Sequence, residues 1–372
     1  MTTAQGFAGA MSRRTLCRSL LASWSLPLVV PLAACGGGAL MSRPGSGVGG
    51  RNAALLLPLS GSQSAVGQNM ARAATLVTRG LDPAAAPAVL DTADTAEGAA
   101  AAAREAIAGG AQMLMGPLRG DQTPAVLAVA GRVPVVTFSN DDKLVAQGAF
   151  VMGVTPAQSV ATMFSYARAQ GLTRIAVVAR ESPLGAASIA AARGIAQAGG
   201  ISLTATLLRD PAAEGLLGAI RSASGGTLPQ AVYLPDGGGT LTAFAQSLQG
   251  SGLRVLGSVQ WGVADAAADP NLSGAWFAAA PPDLFQPFSD QFQASFGEAP
   301  GIIAALGHDA ALIAVGMGNA GELNRKGLLR KAGFTGVLGN FRFLEDGRCQ
   351  RDLTVLGIRG GGIESLAEIA GA

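Results

Sequence analysis

Residues Asn52–Arg79 read NAALLLPLSGSQSAVGQNMARAATLVTR, and this stretch decides the fold. Ala53–Leu57 is a short, unbroken apolar run, which is typical of a strand buried on both faces of a parallel sheet. Pro58 ends the strand, because proline has no N–H to donate to a neighbouring strand. A small polar loop follows, and from Gln68 the apolar residues recur at helical spacing. The stretch therefore predicts a strand–loop–helix unit whose loop lies where open α/β sheets bind ligands.

Similar units recur along the rest of the chain. Further strands are predicted at 88–90, 113–115, 133–138, 175–179, 201–208, 231–234 and 255–256, with alanine-rich helices between most of them. Asp94 with Glu97, and Thr155 with Gln158, have the spacing of capping boxes that start helices. This alternation predicts an α/β fold with doubly wound, mostly parallel sheets.

The order of the elements predicts two lobes joined by several crossings of the chain. The first crossing is expected around Gly153–Pro156 and the return crossing at Pro281 and Pro282. Lobe one then contains 51–153 and 282–332, and lobe two contains 154–281 and 333–365. The tail, with short strands at 341–343 and 353–358, is expected in or near lobe two after a third crossing.

Residues 1–34 have the layout of a lipoprotein signal peptide. Arg13, Arg14 and Arg18 precede an apolar stretch that ends in Leu32-Ala33-Ala34-Cys35, which resembles a lipobox. This resemblance implies cleavage before Cys35 and lipidation of its thiol and new amine. The paired arginines leave both the general secretory and the twin-arginine export routes open. Residues 35–50 are glycine-rich and are expected to form a flexible tether behind the lipidated cysteine.

Composition and motifs exclude several classes of protein. Removing 1–34 changes the net charge from +2 to −1, which gives no basic surface for nucleic acid. Cys349 has no partner for an internal disulfide if Cys17 is removed and Cys35 carries lipid, and the ligands for a structural zinc site are missing. The sole histidine, His308, is expected to be a packing or hinge-facing residue of a helix and not a general base, and no serine lies in a G-x-S-x-G elbow. We therefore expect no catalytic residues and no cofactor.

Several segments resemble the leucine/isoleucine/valine-type (type I) periplasmic binding proteins. They include ALLLPLSG, EGAAAAAREAIAGGAQMLMGPL, RVPVVTFSN, VMGVTPAQS, AVYLPDGGG, GAWFAAAPP and FRFLEDGR, in that order. The chain looks most similar to the branch of penicillin-binding protein activator lipoproteins. The resemblance implies a hinged, two-lobed fold with a small-molecule site in the groove between the lobes. It also implies a periplasmic protein held by its lipid, at the outer membrane because glycines and no aspartate follow Cys35.

Candidate ligand-binding residues lie in the loops that follow the predicted strands. They are Ser60, Ser62, Ser64, Gly120, Ser139 and Asn140 in lobe one, with Glu181, Ser182, Asp236, Gln260 and Trp261 facing them from lobe two. Hydroxyls, amides and an acid of this kind can hold a ligand's carboxylate and ammonium groups. Trp261 is the expected lid over an apolar part of the ligand. The alternative is that these residues are turn residues chosen for backbone geometry.

The chain departs from amino-acid receptors of the family at three places. Arg119, Gly120 and Asp121 stand where a serine or threonine usually holds the α-carboxylate, Gln260-Trp261-Gly262 supplies no acid for the amine, and His308-Asp309 replaces tyrosine-aspartate. The first hypothesis is therefore a non-enzymatic activator lipoprotein that contacts a penicillin-binding protein. The alternative is the solute receptor of an ABC importer, which binds an amino acid or related molecule and docks on an ABC permease.

Overall fold

The computed structural model describes residues 53–372, and the predicted signal peptide (1–34), Cys35 and the tether (35–50) lie outside the described residues. The strands of the described part are β1 (Ala53–Leu57), β2 (Ala88–Asp91), β3 (Met113–Met115), β4 (Val135–Thr137), β5 (Phe150–Val151), β6 (Arg174–Ala179), β7 (Ser202–Leu208), β8 (Ala231–Leu234), β9 (Arg254–Gly257), β10 (Trp276–Ala279), β11 (Phe334–Gly336), β12 (Gly339–Phe343), β13 (Cys349–Arg351), β14 (Leu353–Arg359) and β15 (Gly362–Ile369). The α-helices are α1 (Ser64–Thr78), α2 (Ala96–Ala108), α3 (Thr123–Ala130), α4 (Pro156–Ala169), α5 (Pro183–Gly199), α6 (Leu216–Ala223), α7 (Gly238–Ser247), α8 (Val263–Ala268), α9 (Pro282–Phe296), α10 (Ile302–Ala320) and α11 (Arg325–Leu328).

Lobe one is built on a parallel sheet with the strand order β2-β1-β3-β4-β5. All five residues of β1 are buried, because helices cover both faces of the sheet. Leu55 and Leu57 face a core shared with α1, α9 and α10, whereas Ala54 and Leu56 face α2 and α3. The continuous apolar run of β1 thus reflects burial on both sides.

Lobe two is built on a sheet with the order β15-β14-β10-β9-β8-β6-β7. Its five strands β10, β9, β8, β6 and β7 are parallel, and β14 and β15 add an antiparallel edge. One face packs on α4 and α5, and the other on α6, α7 and α8. The α/β architecture predicted from the sequence, with two lobes of mostly parallel sheet flanked by helices, is confirmed.

Of the two capping boxes predicted from the sequence, one is present and the other is not. The capping box of Thr155 and Gln158 is present at the start of α4. The capping box predicted for Asp94 and Glu97 is wrong, because α2 is capped by Thr95, whose side chain accepts from the N–H of Gly98. Asp94 adopts a left-handed backbone conformation, with φ of 53°, and its side chain turns to other partners.

The tail divides its contacts between the lobes. Phe341, Phe343 and Cys349 belong to the core of lobe one, whereas Leu353 and Val355 belong to a core of lobe two. Strand β12 alternates buried and exposed residues and so covers lobe one with one face, while β14 is buried except at Arg359 and pairs with β10. From the sequence, all of 333–365 was expected in lobe two. We propose instead that the third crossing lies at Asp352, so that β11–β13 belong to lobe one.

Helix α10 is the central helix of lobe one. By length and composition alone it could cross a membrane. However, Ala305, Ala310 and Ala311 are fully buried in the core that α10 shares with α1 and β1. Its apolar composition is therefore explained by packing inside the lobe.

Candidate functional site

Two loops at the carboxyl ends of β3 and β4 meet at the edge of lobe one. Ser139 follows β4 and is buried, and its Oγ accepts the N–H of Asp141 at 3.1 Å. Gly120 follows β3, and a Cβ placed there would lie 2.8 Å from Ser139 Oγ. A glycine is therefore needed at 120 for the two loops to approach this closely.

These loops form one wall of a cleft of about 500 Å³ between the lobes. The polar lining on the lobe-one side consists of Arg119, Gly120, Asp121, Ser139, Asn140 and Asp141. The apolar lining consists of Leu118, Phe138, Val154, Ile302, Ile303 and Leu306. Among the described residues, lobe two contributes Pro183 and Gln260, and Val154 comes from the first crossing between the lobes. The cleft thus offers an apolar surface beside a polar edge, with lobe one supplying most of both.

Arg119 is held at the polar edge between two acids. Its Nε and Nη2 donate to the two carboxylate oxygens of Asp121 at 3.0 and 2.6 Å, and its Nε lies 3.9 Å from Asp94 Oδ1. The hydrogen bonds from Arg119 lower the pKa of Asp121 below its ordinary value. Asp94 is positioned in turn by Ser62 Oγ and by Gln122 Nε2, the latter at 3.3 Å. The guanidinium is therefore oriented by Asp121, which also lines the cleft, and by Asp94, which does not.

The amino end of α10 lies at the same cleft. Ile302 and Ile303 line it, and the N-cap residue is Gly301, which has no side chain to accept from the first-turn N–H groups. The first turn of α10 also carries no acid. The partial positive charge of a helix amino end favours a hydrogen-bond acceptor or an anion. A ligand's acceptor group could thus be held between this helix end and the β3 and β4 loops.

The predicted serines of the first loop have other roles. Ser60 Oγ donates to Asp91 Oδ2 at 2.6 Å, and Ser62 Oγ donates to Asp94, so that both hydroxyls tie the β1 loop to the β2 loop. Burial raises the pKa of Asp91, but the hydrogen bonds from Ser60, Ala93 and Leu59 outweigh it and leave the pKa below its ordinary value. Ser64 begins α1. None of these three serines is among the residues that line the cleft.

Asp236 and Glu181 of lobe two do not line the cleft either. Asp236 is buried, and its Oδ2 accepts the N–H of Arg180 at 2.8 Å. Burial raises the pKa of Asp236, although the N–H and the charge of Arg180 oppose this shift. Asp236 thus ties the β8 loop to the β6 loop. Glu181 is exposed beside Ser182, whose side chain caps α5.

The lid role predicted for Trp261 is wrong. The indole is only 1% exposed, stacks on Phe277 with ring centroids 5.5 Å apart, and donates from Nε1 to Leu234 O at 2.9 Å. A Cβ at Gly257 would lie 2.2 Å from the indole, so the ring occupies space that only a glycine on β9 leaves free. Trp261 therefore belongs to the core of lobe two. Its neighbour Gln260 is exposed and does reach the cleft.

His308 packs within lobe one, as the sequence predicted. Its ring lies 5.1 Å from that of Phe288, and its Nδ1 lies 3.3 Å from Asp309 Oδ1. Neither His308 nor Asp309 lines the cleft. Among residues 53–372, no group of three or more potential metal ligands is assembled.

Four of the polar residues that line the cleft were candidates from the sequence, and the others were missed. Gly120, Ser139 and Asn140 lie together on the lobe-one side, and Gln260 reaches the cleft from lobe two. Arg119 was noted only as a departure from the family pattern, and the pair Ile302-Ile303 only as the start of a helix. The sequence feature that could have indicated an apolar surface at this helix end is a glycine, Gly301, followed directly by two β-branched apolar residues.

The sequence from residue 52 to residue 362 matches the family model described as periplasmic binding protein. The chain belongs to this family. It is accordingly a binding protein of the periplasm and not an enzyme. A search of curated proteins gave no match.

Solved structures similar to this periplasmic binding protein include ABC transporter proteins and a regulator of PBP1A. A branched-chain amino acid ABC transporter protein of Rhodospirillum rubrum is 22% identical, with a TM-score of 0.74, and the match covers 85% of this chain and 99% of that one. A solute-binding protein of R. palustris in complex with benzoate is 20% identical, with a TM-score of 0.64 and coverage of 87% and 97%. The LpoA C-domain of Haemophilus influenzae, a regulator of PBP1A, is 18% identical, with a TM-score of 0.66 and coverage of 85% and 100%. At these identities the likeness shows the shared two-lobed fold.

Proposed function

We propose that this periplasmic binding protein is the solute receptor of an ABC importer and binds a small molecule between its lobes. The observation that carries the proposal is the cleft, where Ser139, Gly120 and Asn140 form a polar edge beside an apolar wall. Its volume of about 500 Å³ suits a metabolite of modest size. The similarity to several ABC transporter proteins supports the same function. This reverses the order of the two hypotheses drawn from the sequence.

The cleft favours a ligand with an apolar body and one end rich in hydrogen-bond acceptors. Ile302, Ile303 and Phe138 would contact the body, and Ser139 Oγ would donate to the polar end. Arg119 would approach an anionic end by exchanging its exposed partner Asp121, since exposed ion pairs contribute little. Lobe two presents Pro183 and Gln260 and no acid among the described lining residues, so an α-ammonium group has no partner there.

Ligand release is the direct test of this function. The purified protein is denatured, the released small molecules are identified by mass spectrometry, and each is added back to fresh protein in a thermal unfolding assay. A true ligand at a hundredfold excess over its dissociation constant stabilises the protein by about 2.7 kcal/mol. If no metabolite stabilises the wild-type protein, the receptor function loses its support.

A second candidate function is that of an activator lipoprotein acting on a penicillin-binding protein. The observation that favours it is the match to the LpoA C-domain along its full length, together with the lipobox-like sequence. Crosslinking in intact cells, followed by capture of this protein, separates the two functions. An activator would recover a cell-wall synthase, whereas a receptor would recover an ABC permease.

We also propose that Cys35 carries the lipid that anchors the protein, at the outer membrane because Gly36 and Gly37 follow it. Cys35→Ser would then leave the protein unlipidated and release it from the membrane fraction. Cys17→Ser is the matched control, since the same change within the predicted signal peptide should leave the mature protein on the membrane. Membrane association of the Cys35→Ser variant equal to that of the wild type would contradict the anchor.

A further inference from the structure

Within the described residues, the lobes are joined by crossings at 153–155, 280–281 and 352. The first lies between β5 and α4, the second between β10 and α9, and the third between β13 and β14. The first and third crossings leave lobe one side by side. Polar side chains buried next to these two crossings therefore determine how the lobes are held.

On the lobe-one side, Arg351 ties the two crossings together. Its side chain is fully buried, its Nη2 donates to Met152 O at 3.1 Å, and its guanidinium lies over the ring of Phe341 at 4.4 Å. Its Nη1 lies 4.0 Å from Asp309 Oδ2, and Asp309 also accepts the N–H of Val337 at 2.7 Å. Breaking a buried ion pair leaves an uncompensated charge, so this side of the hinge is fixed.

Across the hinge, one buried side chain joins lobe two to the same strand. Gln158 lies in the first turn of α4 and is 3% exposed. Its Oε1 accepts the N–H of Thr155 at 3.0 Å, which completes the capping box, and its Nε2 donates to Cys349 O at 2.6 Å. Gln158, in the first turn of α4 in lobe two, is thus hydrogen-bonded to β13, the last strand of lobe one before the third crossing.

We propose that this hydrogen bond, from Gln158 Nε2 to Cys349 O, is a hinge latch that stabilises the open arrangement of the lobes. The arrangement described here is open, because lobe two contributes little to the cleft lining. Closure rotates α4 relative to β13, and the latch is the buried side-chain bond that spans those two elements. Losing one hydrogen bond changes an equilibrium constant by about three- to tenfold. Without the latch, the ratio of closed to open molecules rises by that factor.

The latch also regulates the cleft, and this part of the inference rests on the proposed receptor function. A ligand that binds the closed state gains apparent affinity when that state is more populated. Loss of the latch should therefore tighten binding by about three- to tenfold, although Gln158 does not line the cleft. The lobe arrangement itself can be measured with no ligand present, so a failed latch and a failed receptor function are distinguishable.

The test uses Gln158→Glu and small-angle X-ray scattering without ligand. The new carboxylate keeps an acceptor for the Thr155 N–H but loses the donor for Cys349 O. At about pH 8 we expect a smaller radius of gyration than that of the wild type. Burial raises the pKa of a carboxyl group, so at about pH 5 its neutral form can donate an O–H to Cys349 O and restore the wild-type scattering.

Controls separate the latch from general damage. Gln197→Glu makes the same change on the exposed face of α5, and Cys349→Ala removes the thiol but keeps the carbonyl, so both should scatter like the wild type. Gln158→Met removes the donor without adding charge, and should be compact at both pH values. If folded Gln158→Met and Gln158→Glu both match the wild-type radius of gyration at about pH 8, the latch is refuted.

Discussion

The two walls of the cleft use their strand-end loops differently. On lobe one, the loops after β3 and β4 present Gly120, Ser139 and Asn140 to the cleft. On lobe two, the loops after β8 and β9 turn Asp236 and Trp261 inward, where they bind the backbone of neighbouring loops and strands. A polar or amphipathic residue after a parallel strand can therefore line the cleft or stabilise its own lobe, and its neighbours in the folded lobe decide which. Lobe one supplies most of the cleft lining, whereas the equivalent residues of lobe two stabilise that lobe.

Of the changes that test the different roles of the two walls, Trp261→Ala should have the largest effect on stability. We expect a loss of about 3–5 kcal/mol in the free energy of unfolding, because the change empties a core site and leaves the Leu234 carbonyl without its donor. Denaturant titration measures the loss. Trp276→Ala, at a half-buried tryptophan on β10, should cost less. Equal losses would contradict the placement of Trp261 in the core.

Gly120→Ala should have the second-largest effect on stability. This residue lies on the lobe-one wall of the cleft. The added Cβ meets Ser139 Oγ at 2.8 Å, so the β3 and β4 loops must separate, at a cost of about 1–3 kcal/mol. Because the loops move apart, a ligand should also stabilise Gly120→Ala less than it stabilises the wild type. Gly194→Ala on α5 is the matched control, because its Cβ meets no atom within 4 Å and alanine favours the helix. A ligand response unchanged in Gly120→Ala would remove Gly120 from the site.

Asp236→Asn should have the smallest effect on stability, and this effect depends on pH. The folded-state pKa of Asp236 lies above its ordinary value of 3.8, so ionisation costs the folded protein more than the unfolded chain. The cost is absent below the unfolded-state pKa and complete once the pH exceeds the folded-state pKa. The stability of Asp236→Asn relative to the wild type should therefore rise between about pH 3 and pH 7.

Denaturant titrations across this pH range measure that rise. Glu105→Gln, at an exposed acid on α2, controls for the loss of one negative charge. A relative stability that falls with pH would show that ionised Asp236 stabilises the fold, contrary to the role given to burial here.

The fold could be predicted because its signals are local and repeated. The run at 53–57, the strand at 113–115 and the strand at 231–234 coincide with β1, β3 and β8, since apolar runs between turn residues permit few other structures. The capping box of Thr155 and Gln158 was equally local. The tail was harder, because whether 341–349 packs on lobe one or lobe two depends on contacts distant in sequence.

The site was only partly predictable, for a physical reason. Ser139 and Trp261 both follow strands, and nothing beside them in sequence states whether the side chain faces the cleft or the core. For Trp261 the deciding feature is the space above Gly257, which appears only when β9 lies beside β8 and β10. Arg119 was overlooked as a cleft residue because only the folded lobe places it beside Asp94 of the β2 loop and along the cleft edge.

The central claim is that the ligand is held by lobe one's strand-end loops, and one titration tests it most directly. The metabolite recovered from the denatured protein is titrated calorimetrically into wild type, Ser139→Ala and Glu181→Ala. Loss of a hydrogen bond to a charged ligand group costs about 1.5–3 kcal/mol, so Ser139→Ala should weaken binding by about tenfold or more. Glu181→Ala, at an exposed residue outside the cleft lining, should bind like the wild type. Unchanged binding in Ser139→Ala, or a loss confined to Glu181→Ala, would contradict the claim.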